Sequence, residues 1–503
     1  MKETVLLISN PTALSGGQFP KLNLPLGIAY LAGELIATGL YDVECFDYQD
    51  PAIDDDYVIS QIKQNNYLLV GIKGYAVDYA WARDLVYLIR ERVGDDVRIV
   101  LGGPLATFSY EVLLKNLPVN YCIAGEAETS LPALLENLDS PGNIPGVAYV
   151  AGNGKVVYGE GEGGWTTSKH IDDIARPAYE IFDIPQYTVN RAPVPRNEVF
   201  DMKKYVTLDF LTGRGCPFSC TFCGRLTRKY RKRSVEGVVE EMKFLISTYG
   251  INCFAIEDEL FMQARSWIEE FCEKVMPLKV VWRCQSRAKG LKPEVLKLMR
   301  RAGCVRVTLG VESGSGKILE TMHKQIMPDD IRQTVIRCRE AGIYPGTELI
   351  IGTPGENEAT VCETVELFRE LKLPAREMAF LQLLPGTPLF MQHVGADGPI
   401  GDHLSVLEGL SNDDGTLTNL IHNVSGLSDA ELTRLKSSAE AEMKKNFENY
   451  YRTEKKLHYY FNKVAGFTGL FNGTNQTFYH KREKNVNTPI PVPGNILEGQ
   501  DHR

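Results

Sequence analysis

The 503-residue chain predicts an α/β protein in three parts. These are an N-terminal doubly wound, Rossmann-like domain, a partial TIM-like barrel of about six βα units, and a mostly helical C-terminal region with a loose tail. Two observations carry this. Continuous Val, Ile and Leu runs alternate with amphipathic helical runs in two separate stretches, as in parallel sheets covered by helices. Glycines or paired polar residues stand where those runs end. The expected divisions are residues 1–158, a linker over 159–204, a barrel over 205–388 and a helical region over 389–503. The 44% hydrophobic content is enough for several buried cores.

In the first stretch, residues 4–8, 43–46, 67–72, 97–101 and 121–124 read as buried strands, with helical periodicity over 27–38, 80–92 and 130–138. An open sheet of this kind binds ligands across the carboxyl ends of its strands. Those ends read Ser9-Asn10-Pro11, Lys73-Gly74-Tyr75, Gly102-Gly103-Pro104 and Gly125-Glu126-Ala127-Glu128. Glycines there let a cofactor approach backbone N–H groups closely. No GxGxxG turn or P-loop is present, which argues against a dinucleotide or a P-loop nucleotide.

In the second stretch the strand runs are 206–212, 253–256, 280–284, 305–309, 347–351 and 378–384. Barrel chemistry gathers at the carboxyl ends of the strands. There stand Glu257 with Asp258, Ser286 with Arg287, Glu312 with Ser313, and Gly352-Thr353-Pro354-Gly355-Glu356. A carboxylate among glycines, as in Gly310-Val311-Glu312-Ser313-Gly314, suits a ligand offering hydroxyls or an ammonium group.

Between the first two barrel strands lies Gly213-Arg214-Gly215-Cys216-Pro217-Phe218-Ser219-Cys220-Thr221-Phe222-Cys223-Gly224. Thiolates select soft metals and clusters, and a fully protein-ligated 4Fe-4S centre takes four. Three on one loop, Cys216, Cys220 and Cys223, leave one iron open. A zinc loop completed by a distant ligand is the competing reading, although no second Cys or His pair exists to close it. Cys253, Cys272 and Cys284 are single and lie in apolar or amphipathic runs, as buried fillers do. The eleven cysteines show no disulfide framework, which predicts a reducing cytoplasm.

The CxxxCxxC loop and the strand ends after it resemble the radical S-adenosylmethionine (SAM) enzymes. The resemblance covers roughly residues 205–385. It implies a 4Fe-4S cluster on Cys216, Cys220 and Cys223 whose open iron chelates SAM. An electron then cleaves the sulfonium, and the released deoxyadenosyl radical takes a hydrogen from substrate. It also implies an adenine contact for Phe222, the methionine amino group for Glu257 and Asp258, and the ribose or carboxylate for Glu312 and Ser313, with Ser286 and Arg287 in the same SAM site. An external electron donor such as flavodoxin or ferredoxin is implied as well.

The N-terminal strand ends, with residues 25–32 opening the first helix, are similar to the cobalamin-binding domain that precedes many such barrels. This implies cobalamin contacts from Asn10, Gly74, Tyr75, Gly102, Gly103, Pro104, Gly125 and Glu126. Such domains often carry His after Gly-Gly-Pro, whereas this chain has Leu105, and its first histidine is His170. Either cobalamin binds without an imidazole ligand or the fold is kept without cobalamin. The function implied is methylation of an unactivated carbon of a small molecule or lipid. A non-methylating cyclase or rearranging enzyme, with or without bound cobalamin, is the alternative, and a cobalamin-binding sensor with a structural cluster is a third reading.

The basic run of residues 225–233, in a chain of net charge −9, predicts a solvated face leading into a helix capped by Ser234. No nucleic acid is expected. No apolar stretch approaches the about 18 residues of a membrane span, and no signal peptide is read at the start of the chain. A capped helix is expected from 427 to about 457, followed by aromatic residues that read as packing. The polar tail over 481–503 reads as loose.

Overall fold

The computed structural model describes residues 2–11, 22–160, 170–188, 205–227, 229–262, 265–374, 377–395, 400–411 and 418–468. Its first sheet is built from β1 (Glu3–Ser9), α1 (Leu26–Ala37), β2 (Tyr41–Asp47), α2 (Asp55–Gln64), β3 (Tyr67–Lys73), α3 (Tyr79–Arg92), β4 (Ile99–Gly102), α4 (Gly103–Asn116), β5 (Tyr121–Ile123), α5 (Ser130–Leu135), β6 (Val147–Val150) and β7 (Val156–Tyr158). The strand order is β2-β1-β3-β4-β5-β6-β7. The first five strands are parallel, and β6 and β7 add an antiparallel edge. Both faces of β1 are buried, Leu6 and Ile8 in one core and Val5 and Leu7 in another, because alternate side chains meet helices on opposite sides. The order reverses between β1 and β3, which leaves a crevice beyond Ser9 and Lys73.

The sequence reading marks three helices here, and the structure adds α2 and α4. Asp54 caps α2 by accepting the Tyr57 N–H. The α4 helix starts directly off β4: Gly103 turns the corner at φ 75°, and Pro104 sits in the first turn, where its missing N–H costs nothing.

The linker folds back onto both sheets through α6 (Ile184–Thr188) and two buried tyrosines. Tyr187 donates to Asp47 at 2.8 Å and Tyr179 to Glu241 at 2.5 Å. Residues 161–169 and 189–204 of the linker lie outside the described residues.

The second sheet is formed by β8 (Thr207–Phe210), a small hairpin of β9 (Gly213–Arg214) and β10 (Arg231–Lys232), α7 (Val235–Tyr249), β11 (Cys253–Ile256), α8 (Arg265–Val275), β12 (Val281–Arg287), α9 (Pro293–Arg301), β13 (Cys304–Glu312), α10 (Gly316–Thr321), α11 (Pro328–Ala341), β14 (Tyr344–Ile351), α12 (Glu358–Glu370) and β15 (Ala379–Phe380). Six strands in chain order, β8 to β15 without the hairpin, form an open parallel sheet. Phe254, Phe261, Phe271 and Trp282 fill its core. Ser234 caps α7 as expected, accepting the Gly237 N–H.

The chain continues through α13 (Pro388–His393), α14 (His403–Leu410) and α15 (Asp429–Thr468). Ser428 opens α15 through bonds with Glu431, and Leu432, Leu435, Ala439 and Met443 bury its inner face. Lys372 lies over the Tyr450 ring. The side chains of Tyr451, Tyr459, Tyr460 and Phe461, and the tail over 481–503, lie outside the described residues. No described helix is long and apolar enough to cross a membrane.

The two sheets dock with the carboxyl ends of their strands toward a shared cavity. Phe108 on α4 presses on the turn after β15: a Cβ on Gly386 would lie 2.1 Å from its ring. Ser109 meets His403 at 2.9 Å, and the Ala80 N–H donates to Ser411 at 3.0 Å.

Candidate active site between the two sheets

The cysteine loop is pinned at its centre. The Thr221 N–H donates to the Met322 carbonyl and the Thr221 carbonyl accepts the Leu389 N–H, each at 3.0 Å. Gly215 enters the loop at φ 84°, and a Cβ there would lie 2.2 Å from the Lys229 carbonyl oxygen. Burial pushes the Cys216 thiol up and the Cys223 thiol up to about 12, so the loop favours thiolates only beside compensating positive charge such as a metal's. Among the described residues no group of three His, Cys, Asp or Glu side chains gathers as a single-ion site. Three thiolates that each bind a different iron of a cluster need not converge on a point. The all-thiolate donor set fits a 4Fe-4S centre.

Several residues expected to face SAM gather beside this loop. Arg287, at the end of β12, points Nη1 at Cys220 Sγ, 3.7 Å away, and stacks over the Phe218 ring at 3.7 Å. Its Nη2 is buried without a partner, an orphaned cationic donor suited to a carboxylate such as that of SAM. Glu312 ends β13 at φ 60°, a costly conformation for a residue with a Cβ. Its carboxylate meets Lys324 at 2.5 Å, and Lys324 lies over the Phe222 ring at 5.6 Å. Ser286 is buried on β12. The Ser313 hydroxyl is occupied locally, accepting the Ser315 N–H and meeting Thr364.

The Glu257-Asp258 pair divides, which corrects the expectation that both acids meet one ligand group. Asp258 is buried and spent on the Thr212 N–H and hydroxyl, the Gly213 N–H and Lys232. It braces the entrance to the cysteine loop. Glu257 instead pairs with Arg283 at 2.6 Å and lines the cavity between the sheets.

That cavity holds about 720 Å³. From the first sheet it is lined by Asn10, Tyr75, Gly102, Gly103, Pro104, Gly125 and Glu126, and so by most of the residues expected to meet cobalamin. Gly74 is not among them: a Cβ there would contact Leu105 and Asp78, so its smallness serves packing. Lys73 bonds Asn10 at 3.0 Å and covers the Tyr75 ring at 4.2 Å. Gly27 and Gly102 face open space, with nothing within 4 Å of a Cβ. These bare positions form a cradle that fits a large flat cofactor such as a corrin, and no histidine lines it.

The basic run is not a solvated face. Arg231, Lys232 and Arg233 are largely buried, and each meets a carboxylate: Glu126, Asp258 and Glu241 respectively. The reason is topological, because β10 is stitched to β9 and lies between the two sheets. Arg214 on β9 reaches Glu128 at 2.6 Å and Glu126 at 3.6 Å, and stacks over Tyr30. Glu126 and Glu128 therefore clasp the barrel as well as border the cavity. Arg228 lies outside the described residues.

Sequence reasoning passes over Lys324, Arg214, Arg283 and Glu259. Arg214 stands two residues before Cys216, a usable signal. Lys324 follows β13 by twelve residues, and nothing in its sequence context marks it.

Comparison with known proteins agrees with this layout. Residues 210–368 match the family model of the Radical SAM superfamily, and residues 17–135 that of the B12 binding domain. An uncharacterized methyltransferase of Pyrococcus horikoshii is 27% identical over 73% of this chain and 77% of its own. The anaerobic magnesium-protoporphyrin IX monomethyl ester cyclase of Rubrivivax gelatinosus is also 27% identical, over 80% of this chain and 71% of its own. In fold, the chain is similar to the radical SAM methyltransferase TsrM of Kitasatospora setae, solved with tryptophan and a SAM analogue. The TM-score is 0.63 at 20% identity, covering 88% of this chain and 89% of that one.

Proposed function

We propose that this chain, whose residues 210–368 match the Radical SAM superfamily and whose residues 17–135 match the B12 binding domain, is a cobalamin-dependent methyltransferase acting on an unactivated carbon of a small molecule. The observation that carries this is the shared cavity: one wall is a glycine cradle and the opposite wall is the mouth of the barrel that bears the cysteine loop. When bound, the cluster supplies the electron that cleaves SAM to a hydrogen-abstracting radical, and cobalamin supplies a methyl carrier.

Within that scheme, Cys216, Cys220 and Cys223 hold the cluster, and Arg287 offers its unpartnered Nη2 to the SAM carboxylate. Glu312, steadied by Lys324, takes ribose hydroxyls, and Phe222 supplies an apolar surface for adenine. Gly27 and Gly102 leave room for the corrin, while Asn10, Lys73 and Tyr75 border its edge. The contact between Phe108 and the turn at Gly386 joins the two sheets at one side of their interface.

The test is an anaerobic assay of cobalamin-replete protein with reductant and SAM carrying a deuterated methyl group. The expected result is deoxyadenosine formation together with a product three deuteriums heavier, recovered from an extract of candidate metabolites. A cyclase is the second reading, supported by the equal identity to the Rubrivivax enzyme. Deoxyadenosine formed with an unlabelled product, at a rate indifferent to cobalamin, would establish it and overturn the methyltransferase.

A further inference from the structure

Arg287 ends β12, and its guanidinium is divided three ways. Its Nη1 donates to Cys220 Sγ at 3.7 Å, its plane covers the Phe218 ring at 3.7 Å, and its Nη2 is buried without a partner. Stacking fixes the plane and leaves the in-plane N–H groups free to point two ways. Among the described residues Arg287 makes no ion pair, whereas Lys324, whose charge also interacts with Cys220, is paired with Glu312 at 2.5 Å. The three thiols therefore differ. Arg225 and Glu259 act on Cys216 and Cys223 from a distance and with opposite signs, and among the described residues only the Cys220 sulfur receives a cationic N–H.

Reduction adds a negative charge to a cluster. A cation and an N–H held against one of its thiolates stabilise the reduced form more than the oxidised one, which raises the potential. Arginine does so at every working pH, because the guanidinium keeps its proton. We propose that Arg287 sets the reduction potential of the cluster and links that potential to SAM. With Nη2 unpartnered, its whole charge favours the reduced cluster, and a carboxylate on Nη2 offsets that charge. Arg287 thus eases electron entry before SAM arrives and, once its charge is offset, lets the electron leave when the sulfonium must be cleaved. The inference rests on the proposed function, because it takes the cluster to sit on this loop and the SAM carboxylate to meet Nη2.

The experiment is a redox titration of the full chain with its cluster, followed anaerobically by electron-spin resonance, first without SAM and then with SAM at saturation for each protein. Arg287→Met should make reduction of the SAM-free cluster about tenfold less favourable, roughly 59 mV lower in midpoint for one electron. With SAM bound, the gap between variant and wild type should fall to less than half. Arg287→Lys, which keeps the charge, should recover part of the SAM-free midpoint. An unchanged SAM-free midpoint in Arg287→Met overturns the tuning, and a gap equal with and without SAM overturns the link. If Arg287→Met does not hold iron, Phe218→Leu decides, since it keeps the charge and removes the platform that aims it: a lowered midpoint is expected, and one equal to wild type overturns the assignment. Iron content and methyl transfer of the wild-type enzyme report separately. A wild-type chain with no four-iron cluster fails the reading beneath the inference, whereas a methyl-transferring enzyme whose midpoint ignores Arg287 fails the inference alone.

Discussion

The two sheets turn the same ends of their strands toward one cavity but furnish them in opposite ways. The N-terminal sheet ends in glycines and a proline, with Gly27 and Gly102 presenting bare backbone. The barrel ends in charged side chains, most already engaged: Asp258 by Lys232, Glu257 by Arg283, Glu312 by Lys324. A surface that receives a large rigid cofactor gains from absent side chains, since shape does the binding. A surface that positions a small polar reactant gains from groups held fixed by partners.

The largest expected effect tests the barrel side. Replacing Cys216, Cys220 and Cys223 together with Ala should leave iron near zero and abolish deoxyadenosine formation, while cobalamin content persists. Iron analysis decides: about four irons per chain, the content of one cluster, would show that the loop is not its seat.

Next comes the clasp joining the sheets. Glu128→Ala leaves Arg214, whose side chain is only 17% exposed, with Glu126 alone at 3.6 Å, and the loss should be below the about 3 kcal/mol of a buried pair broken outright. Thermal unfolding should shift down, and adding Arg214→Gln should recover part of the loss. Strictly additive losses would mean the two residues do not act as a pair.

A smaller effect separates two glycines of the cradle. Gly102→Val should lower cobalamin content about tenfold, roughly 1.4 kcal/mol of binding, with iron and folding intact. Gly103→Val should also destabilise the fold, because Gly103 sits at φ 75° with Gly74 and Lys73 at 3.0 Å from a Cβ. Equal unfolding temperatures for the two variants would remove the distinction.

The smallest effect is one of pH. The Glu259 carboxyl, raised to about 7 from an ordinary 4.5, disfavours its ionised form in the fold. Its contribution to stability is therefore present below about 4.5 and is lost as pH rises through about 7. Glu259→Gln should gain in unfolding temperature over wild type on going from pH 5 to pH 8, in the absence of substrate. A constant difference across that range would place the group in open water.

Much of this layout is legible in the chain because its causes are local. Runs such as residues 5–8 and 253–256 are apolar throughout, and only a strand covered on both faces buries them fully. Three cysteines spaced within eight residues stay together however the chain folds, so the cluster loop needs no tertiary argument. The Gly102-Gly103-Pro104 string marks a strand end in the same way, although the helix that springs from it does not show in the string.

What the sequence determined by itself, then, is the two sheets, the thiolate loop and the glycine cradle, each fixed by residues adjacent in the chain. Only the tertiary structure decided how charge is spent. Glu126 and Arg231 are 105 residues apart, and Asp258 and Lys232 are 26 apart; nothing local distinguishes such residues from solvated ones. Whether a carboxylate is a ligand, a brace or a clasp depends on which cation the fold brings within a few ångströms once water is removed. Glu257, Asp258 and Glu259 are consecutive in sequence, yet they meet Arg283, Lys232 and the open cavity respectively. The turn that follows β11 points them three ways, and their roles diverge with their directions.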